Sequence, residues 1–443
     1  METISKKAEK ISQSITLKAI VIGILSLLML IPSAIIQDLI KERETRSDET
    51  ILKINEKWSN SQMLVGPVLT IPYTYTYEDE KKVNVTENHT LNIFPETLKF
   101  NVKLFPEERH YGIYKSILYK SNISMIGKFP KIDFSKINFT TIKWDEATIR
   151  IGISDLRGIT NNIDFVLNNQ HYTAEAGGNK QDVMGRGLII SPKNMELFQS
   201  GKNLDFNCML NLNGSSNMNF IPVGKTTQVD INGAWKSPGF IGSFSPEHRI
   251  DKNGFSAKWN ILHFNRPIPE TWLDENIDTL QDSSFGVSLV DTVDHYQQNM
   301  RSAKYALMFI VLTFVVFFFV EVITKKRIHP VQYLLVGIAL ILFYSLLLSI
   351  SEQLNFAWAY LIASIATLSL ISIYAHSIFK NKMQTALLSG FLTLLYTFLY
   401  VILQLEDIAL LIGSIGLFVI LAVIMFVSKK ISWYKPDEEI KNE

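Results

Sequence analysis

Residues 306–350 read ALMFIVLTFVVFFFVEVITKKRIHPVQYLLVGIALILFYSLLLSI, two apolar stretches on either side of the basic sequence Lys325-Lys326-Arg327. A membrane span needs about 20 mostly apolar residues, because the hydrocarbon core is about 30 Å thick and a helix rises about 1.5 Å per residue. Both stretches meet this requirement. They predict a helical hairpin in a membrane, with the three cations at the turn between its helices.

Six segments of the chain have this apolar character, and the short breaks between the last five predict one compact bundle. They run from Leu17 to Ile36, from Tyr305 onward, from Val331 to Ile350, from Phe356 to Phe379, from Thr385 to Leu405 and from Ile408 to Val427. The predicted organisation is an N-terminal segment at 1–16, transmembrane helix 1 at 17–37, an extracytoplasmic domain at 38–302, a five-helix transmembrane bundle at 303–427 and a tail at 428–443.

The first apolar segment has a cleaved signal peptide as its alternative interpretation, because lysines precede it. Its apolar stretch is longer than the 7 to 15 residues typical of a signal peptide, and no A-x-A-like cleavage site follows. An uncleaved anchor fits better, and we expect it to stand apart from the five-helix bundle.

The orientation follows from the excess of Lys and Arg in cytoplasmic flanks of membrane proteins. With six spans, all the basic flanks fall on one side, while the loops containing Glu352 and Glu406-Asp407 carry no Lys or Arg. Both termini are therefore predicted to be cytoplasmic, and residues 38–302 to be outside. The basic residues are Lys6, Lys7, Lys10, Lys18, Lys325, Lys326, Arg327, Lys380, Lys382, Lys429, Lys430 and Lys435.

The middle of the chain changes from a helical to a strand-like pattern. Residues 38–62 contain no Gly or Pro, which predicts a helical stalk ended by Gly66-Pro67. Short runs of β-branched and aromatic residues follow, such as Tyr73-Thr74-Tyr75-Thr76-Tyr77, and they predict a β-rich sandwich or barrel-like domain. The predicted fold is six transmembrane helices with this large β-rich extracytoplasmic domain inserted between helices 1 and 2.

Composition and motifs argue against several functions. The net charge of +1 gives no general attraction to nucleic acid, and the single cysteine, Cys208, excludes an intrachain disulfide. The eight histidines are scattered, and no catalytic, metal or nucleotide-binding motif is complete. Val223-Gly224-Lys225-Thr226-Thr227 resembles the end of a P-loop, but Asn219 stands where its first glycine belongs. We predict no enzyme activity, no cofactor and no metal.

Two sets of ionisable residues remain as candidate sites. Asp155 and Arg157 flank a predicted turn, where they would form either an anion site or a structural ion pair. Glu321 lies near the cytoplasmic end of the second span, four residues before Lys325, and anchoring is favoured over proton relay. Glu352 is expected in an outer loop where water reaches it.

The sequence resembles the CreD family of bacterial inner-membrane proteins over nearly its whole length. The most specific match is Arg327-Ile328-His329-Pro330-Val331-Gln332-Tyr333-Leu334-Leu335-Val336-Gly337. The resemblance implies an inner-membrane protein with a periplasmic middle domain, a role in cell-envelope integrity and expression under a two-component system. It supplies no catalytic residues.

Within this motif, Arg327 and His329 lie where a span meets the cytoplasm, and Pro330 suits the first residue of a helix. Gln332 and Tyr333 follow in its first turn. The motif predicts either a tight charged hairpin or a docking site for a partner or lipid headgroups.

We therefore expect a non-enzymatic envelope protein whose β-rich domain binds an envelope protein or a cell-wall component, while the helices anchor it in the lipid bilayer. A transporter or channel component is the second hypothesis, and a periplasmic enzyme is the third.

Overall fold

The structure is a computed structural model that describes residues 15–132, 134, 137–178, 186–192, 198, 203–269, 271–273, 278–289, 295–324, 328–405 and 408–429. The chain divides into two compact units. The helical unit consists of Met1–Ser47 and Val293–Glu443, and the β-rich unit consists of Asp48–Thr292.

The α-helices of both units are numbered together. In chain order the described helices are α1 (Ile15–Leu28), α2 (Leu30–Trp58), α3 (Asp278–Gln281), α4 (His295–Lys304), α5 (Ala306–Thr324), α6 (Pro330–Ser351), α7 (Phe356–Phe379), α8 (Lys382–Gln404) and α9 (Ala409–Ser428). The short α3 belongs to the β-rich unit, and α2 passes from the helical unit into it.

Within the described residues, five helices are long and apolar enough to cross a membrane. The first combines α1 and α2 as Leu17–Trp58, and the others are α5, α6, α7 and α8. The described apolar part of α9, Leu411–Phe426, is shorter. These helices fit the predicted membrane protein with several spans, whereas the sixth span remains a prediction.

The first helix packs against α5 and α6, so the expectation that it stands apart from the other helices is wrong. Met29, at the turn between α1 and α2, is buried in one apolar cluster with Phe314 of α5 and residues of α6. A Cβ atom added to Gly337 of α6 would lie 2.9 Å from Met29 Sδ and 3.0 Å from Phe314 Cζ. The small residue thus allows the first helix to approach α6 closely.

The chain leaves α2 at Trp58, and the first strand begins at Gln62. The expected helix end at Gly66-Pro67 is therefore wrong. These two residues lie within β1, where its pairing with β6 shifts register between Val65 and Val68. Proline and glycine are tolerated at such an irregularity because a ladder hydrogen bond is already lost there.

The β-rich unit has eighteen strands among its described residues. They are β1 (Gln62–Glu78), β2 (Asn84–Ile93), β3 (Thr97–Tyr111), β4 (Tyr114–Phe129), β5 (Thr141–Ile142), β6 (Thr148–Ile153), β7 (Asp164–Leu167), β8 (Gln170–Thr173), β9 (Glu175–Gly177), β10 (Gly187–Ile190), β11 (Leu204–Ser215), β12 (Asn217–Ile221), β13 (Thr226–Gly233), β14 (Gly239–Gly242), β15 (Glu247–Asp251), β16 (Gly254–Leu262), β17 (Thr271–Leu273) and β18 (Phe285–Ser288).

These strands form two sheets that share one apolar core. The main path of the ten-stranded sheet is β14-β18-β12-β1-β6-β10-β9, and β2, β5 and β17 join it at the side. The eight-stranded sheet has the order β15-β16-β13-β3-β4-β11-β7-β8. Phe100 and Phe220, from opposite sheets, have ring centroids 5.0 Å apart. The unit is therefore a β sandwich, because the inner faces of the two sheets pack their apolar side chains against each other.

Alternation along the strands explains which side of each sheet is buried. In β11 the residues from Leu204 to Leu212 alternate between buried and exposed. The same pattern runs through β16, where Trp259 is buried and its neighbours Lys258 and Asn260 are exposed. The apolar set fills the core, and the polar set forms the outward face of the eight-stranded sheet.

Candidate functional site

A buried carboxylate lies near the end of α5. Glu321 is only 2% exposed, and its Oε1 atom accepts hydrogen bonds from Lys18 Nζ of α1 and from the backbone N of Ile328 at 3.3 Å. Its Oε2 atom accepts a hydrogen bond from the hydroxyl of Tyr333 at 2.8 Å. Three donors from three parts of the chain therefore compensate for the burial of one charge.

The residues after Glu321 form the cap of the next helix. Val331 N donates to His329 Nδ1 at 3.3 Å, and His329 N donates to Gln332 Oε1 at 2.9 Å. This reciprocal arrangement is a capping box, and Pro330 occupies the first turn without losing a needed donor. The cap fixes where α6 starts and thereby places Tyr333 against Glu321.

The structure brings together five of the six residues predicted at this hairpin. Glu321 is bonded to Tyr333, and His329, Pro330 and Gln332 form the cap of the helix that carries Tyr333, whereas Arg327 lies outside the described residues. The expected partner of Glu321, Lys325, is also outside them. Sequence reasoning missed Lys18 as a partner, because it lies 303 residues from Glu321 and no local spacing signals the contact.

A second buried carboxylate lies at the end of α6. Glu352 has a side chain only 8% exposed, and Arg43 of α2 binds it with Nε at 2.8 Å from Oε1 and Nη2 at 2.5 Å from Oε2. The hydroxyl of Tyr296 donates to the same Oε1 at 3.2 Å. Glu352 was expected in an outer loop where water reaches it, but little water reaches its side chain, because the guanidinium fork binds both carboxylate oxygens.

In the β-rich unit, Asp155 and Arg157 form a two-pronged ion pair. Arg157 Nε lies 2.9 Å from Asp155 Oδ1, and Arg157 Nη2 lies 2.7 Å from Asp155 Oδ2. The guanidinium holds the pKa of Asp155 at about 2, below its usual 3.8. Asn60 N also donates to Asp155 at 2.9 Å, and Arg157 Nη1 donates to the carbonyl of Glu56. These bonds tie the turn to the end of α2, which favours a structural role.

An open polar cavity of about 530 Å³ lies on the outward face of the eight-stranded sheet. Its floor follows the strand register: Glu247 pairs with Lys258, Lys258 with Asp230, and Asp230 with Asn101. Four adjacent strands thus place charged and amide side chains in one row across the sheet. The lining residues are Asn101, Asp230, Asn232, Glu247, His248, Arg249, Ser256, Ala257 and Lys258.

The remaining motif candidates have ordinary structural surroundings. The P-loop-like fragment is a turn that leads into β13 at Thr226, and the Arg266 guanidinium donates to the carbonyl of Gly224. Burial raises the pKa of the Cys208 thiol to about 12. In the part of the chain that the structure describes, no three His, Cys, Asp or Glu side chains lie close enough together to hold a metal ion.

Comparison with known proteins gives the family. The family described as "Inner membrane protein CreD" matches residues 14–434. The chain belongs to the CreD family. It is also 33% identical over 414 residues to "Inner membrane protein CreD" of Escherichia coli (strain K12), an alignment that covers 92% of this chain and 91% of that protein. This CreD-family chain is therefore a multi-pass inner-membrane protein.

In this CreD-family protein, α1 and α2 each bring a cation to one of the two carboxylates described above, Glu321 and Glu352. Lys18 meets Glu321, and Arg43 meets Glu352. Removal of one partner from such a pair leaves an uncompensated charge in a low-dielectric environment. This geometry suits a clamp that holds α1 and α2 against α5 and α6.

Proposed function

We propose that this protein is a non-enzymatic inner-membrane protein that supports cell-envelope integrity, with its β-rich unit binding a protein or cell-wall component of the envelope. In this proposal the chain crosses the membrane six times and inserts the β-rich domain between spans 1 and 2. Both termini are cytoplasmic, and residues 38–302 are periplasmic. The basic flanks of the spans support the orientation.

The two ion pairs support the placement of the first span. About 25 residues separate Lys18 from Arg43, or roughly 37 Å of helix at 1.5 Å per residue. This length is close to the thickness of about 40–45 Å for a bilayer with its headgroups. A charged pair at each headgroup level would fix the depth of the first helix, because a charge at mid-bilayer is costly.

The observation that carries the binding proposal is the polar cavity over β15, β16, β13 and β3. It is wide and open, and Glu247, Lys258, Asp230 and Asn101 stand in one row across it. A row of charges of alternating sign that ends in an amide matches a polar partner by pairing charges and hydrogen bonds along its length. A surface of this shape suits a macromolecule better than a small substrate, which enclosed and mostly apolar pockets bury.

Photo-crosslinking in living cells tests the proposal. A crosslinkable residue at Ser256 or Asn232, both in the cavity lining, is expected to capture a discrete envelope component. The control is the same residue at Asn207, exposed on β11 of the same face but away from the cavity. Equal capture from all three positions would contradict the role of the cavity. No capture, together with solute uptake that depends on Glu321, would favour a transporter.

A further inference from the structure

The hairpin of β1 and β2 carries a row of aromatic side chains on one face. In its register Tyr73 pairs with His89, Tyr75 with Glu87, and Tyr77 with Val85. Alternate residues of a strand point to the same face, so the three tyrosines stand in line about 6.8 Å apart along the strand. On the paired strand β2, the carboxylate of Glu87 and the imidazole of His89 belong to the same row.

The rings of this row lie close together and nearly parallel. The Tyr75 and Tyr77 ring centroids are 5.7 Å apart with 24° between the ring planes, and those of Tyr73 and His89 are 5.4 Å apart with 27°. Tyr73 is buried and Tyr75 half-buried, while Tyr77 is 36% exposed. Exposure of the aromatic surface therefore increases toward the tip of the hairpin.

Polar groups accompany the rings. The hydroxyl of Tyr77 donates to Glu87 Oε1 at 2.9 Å, and His89 Nε2 lies 3.3 Å from Glu87 Oε2. A carboxylate offers about four acceptor positions, so Glu87 can still accept hydrogen bonds from hydroxyl groups of a ligand. The opposite face of the hairpin is rich in hydroxyls, with Thr76 and Thr86 bonded to each other at 3.0 Å, and it carries one carboxylate, Glu78, at the end of β1.

The tip of the hairpin extends beyond the other paired strands. Among the described residues, β5 pairs with β1 only at Tyr73 and Thr74, and β17 pairs with β2 only from Leu91 to Ile93. From Tyr75 outward, β1 and β2 therefore pair only with each other in the described sheet. Beyond this strand pairing, Thr140 next to β5 also reaches the segment, since its Oγ1 atom accepts a hydrogen bond from Thr76 N at 2.7 Å.

We propose that this aromatic hairpin, residues 73–89, binds the glycan strand of the cell wall, with sugar rings against Tyr75 and Tyr77 and sugar hydroxyls hydrogen-bonded to Glu87. A pyranose ring has an apolar face that packs on an aromatic ring and hydroxyls at its edge, which is the combination that this row presents. The hairpin has a formal net charge of −2, from Glu78, Asp79, Glu80 and Glu87 against Lys81 and Lys82, so an organic cation is the competing ligand that the test must exclude. This inference rests on the proposal that the β-rich unit faces the periplasm.

The test is retention of the full-length protein, in detergent, by purified cell-wall sacculi. Tyr75→Ala and Tyr77→Ala are each expected to weaken retention about tenfold. Tyr77→Phe, which keeps the ring, is expected to retain most of the binding, and Glu87→Gln to weaken it. The matched control is Tyr111→Ala, since Tyr111 is 67% exposed at the tip of the β3–β4 hairpin. A soluble tetramer of N-acetylglucosamine should compete with the sacculi.

Three results would overturn the inference: no retention of the wild-type protein, equal retention of all variants, or displacement by spermidine but not by the sugar tetramer. The last result would identify a site for organic cations, which aromatic rings beside a carboxylate also attract. Unchanged thermal unfolding of the variants shows that the fold is intact. Crosslinking from Ser256 without retention by sacculi would leave the proposed function standing and refute only the glycan site.

Discussion

Replacement of Lys18 by methionine is the sharpest test of the clamp on the first helix. Methionine keeps the length and apolar stem of lysine but removes the ammonium group that meets Glu321. The carboxylate would remain 2% exposed, with Tyr333 and the backbone of Ile328 as its remaining donors among the described residues. Loss of one partner from a buried pair costs about 3–5 kcal/mol, because the other charge stays desolvated.

Glu321→Gln provides the matched comparison. The amide can still accept from Tyr333 or Ile328, and the ammonium of Lys18, whose side chain is 29% exposed, can extend toward water. Its expected cost is only about 1–2 kcal/mol. In the double variant no charge is left buried, so its stability should return close to that of Glu321→Gln alone.

Thermal unfolding of the purified full-length protein in detergent measures these differences. At about 2–4 °C per kcal/mol for a unit of this size, Lys18→Met should lower the midpoint by roughly 10 °C, and Glu321→Gln by less than half of that. The reasoning is refuted if Lys18→Met unfolds at the wild-type temperature. It is also refuted if the two single variants and the double variant show simply additive losses.

Three further predictions concern other parts of the fold. Arg43→Met should destabilise the helical unit by about 3 kcal/mol, because Glu352 would stay buried without its guanidinium, and thermal unfolding measures the loss. Gly337→Val should cost about 1–3 kcal/mol by overpacking against the first helix, whereas Gly390→Val, with no atom within 4 Å of the added Cβ, should cost less in the same assay. Asp155→Asn should cost about 1–2 kcal/mol at neutral pH. The folded-state pKa of Asp155 is about 2, so the stability that its carboxylate contributes is present above pH 4 and is lost as the pH falls toward 2. Unfolding measured at a series of pH values tests this.

Local sequence patterns predicted most of the secondary structure. Runs of about 20 apolar residues indicated the helices, and the run Tyr73-Thr74-Tyr75-Thr76-Tyr77 indicated a strand, which is part of β1. The capping role of Pro330 followed from its position after a polar stretch. Such signals depend only on neighbours in the chain, and therefore a single sequence contains them.

Contacts between distant segments were not predictable in this way. Lys18 was interpreted only as part of a basic flank, although the structure also pairs it with Glu321. Arg43 lies 309 residues from Glu352, and nothing in the local pattern of either residue indicates the contact. Gly66-Pro67 suggested a break because the pair usually punctuates a chain, yet β1 accommodates it at a shift in register.

The central claim is that the β-rich unit lies outside the cytoplasm, and the labelling of single introduced cysteines tests it most directly. The native Cys208 is a suitable silent background, because it is buried and a thiol with a pKa of about 12 is scarcely ionised at neutral pH. A membrane-impermeant maleimide should label Ser256→Cys in intact spheroplasts, and Met383→Cys, 81% exposed near the start of α8, only after permeabilisation. Labelling of position 383 but not of position 256 in intact spheroplasts would contradict the account.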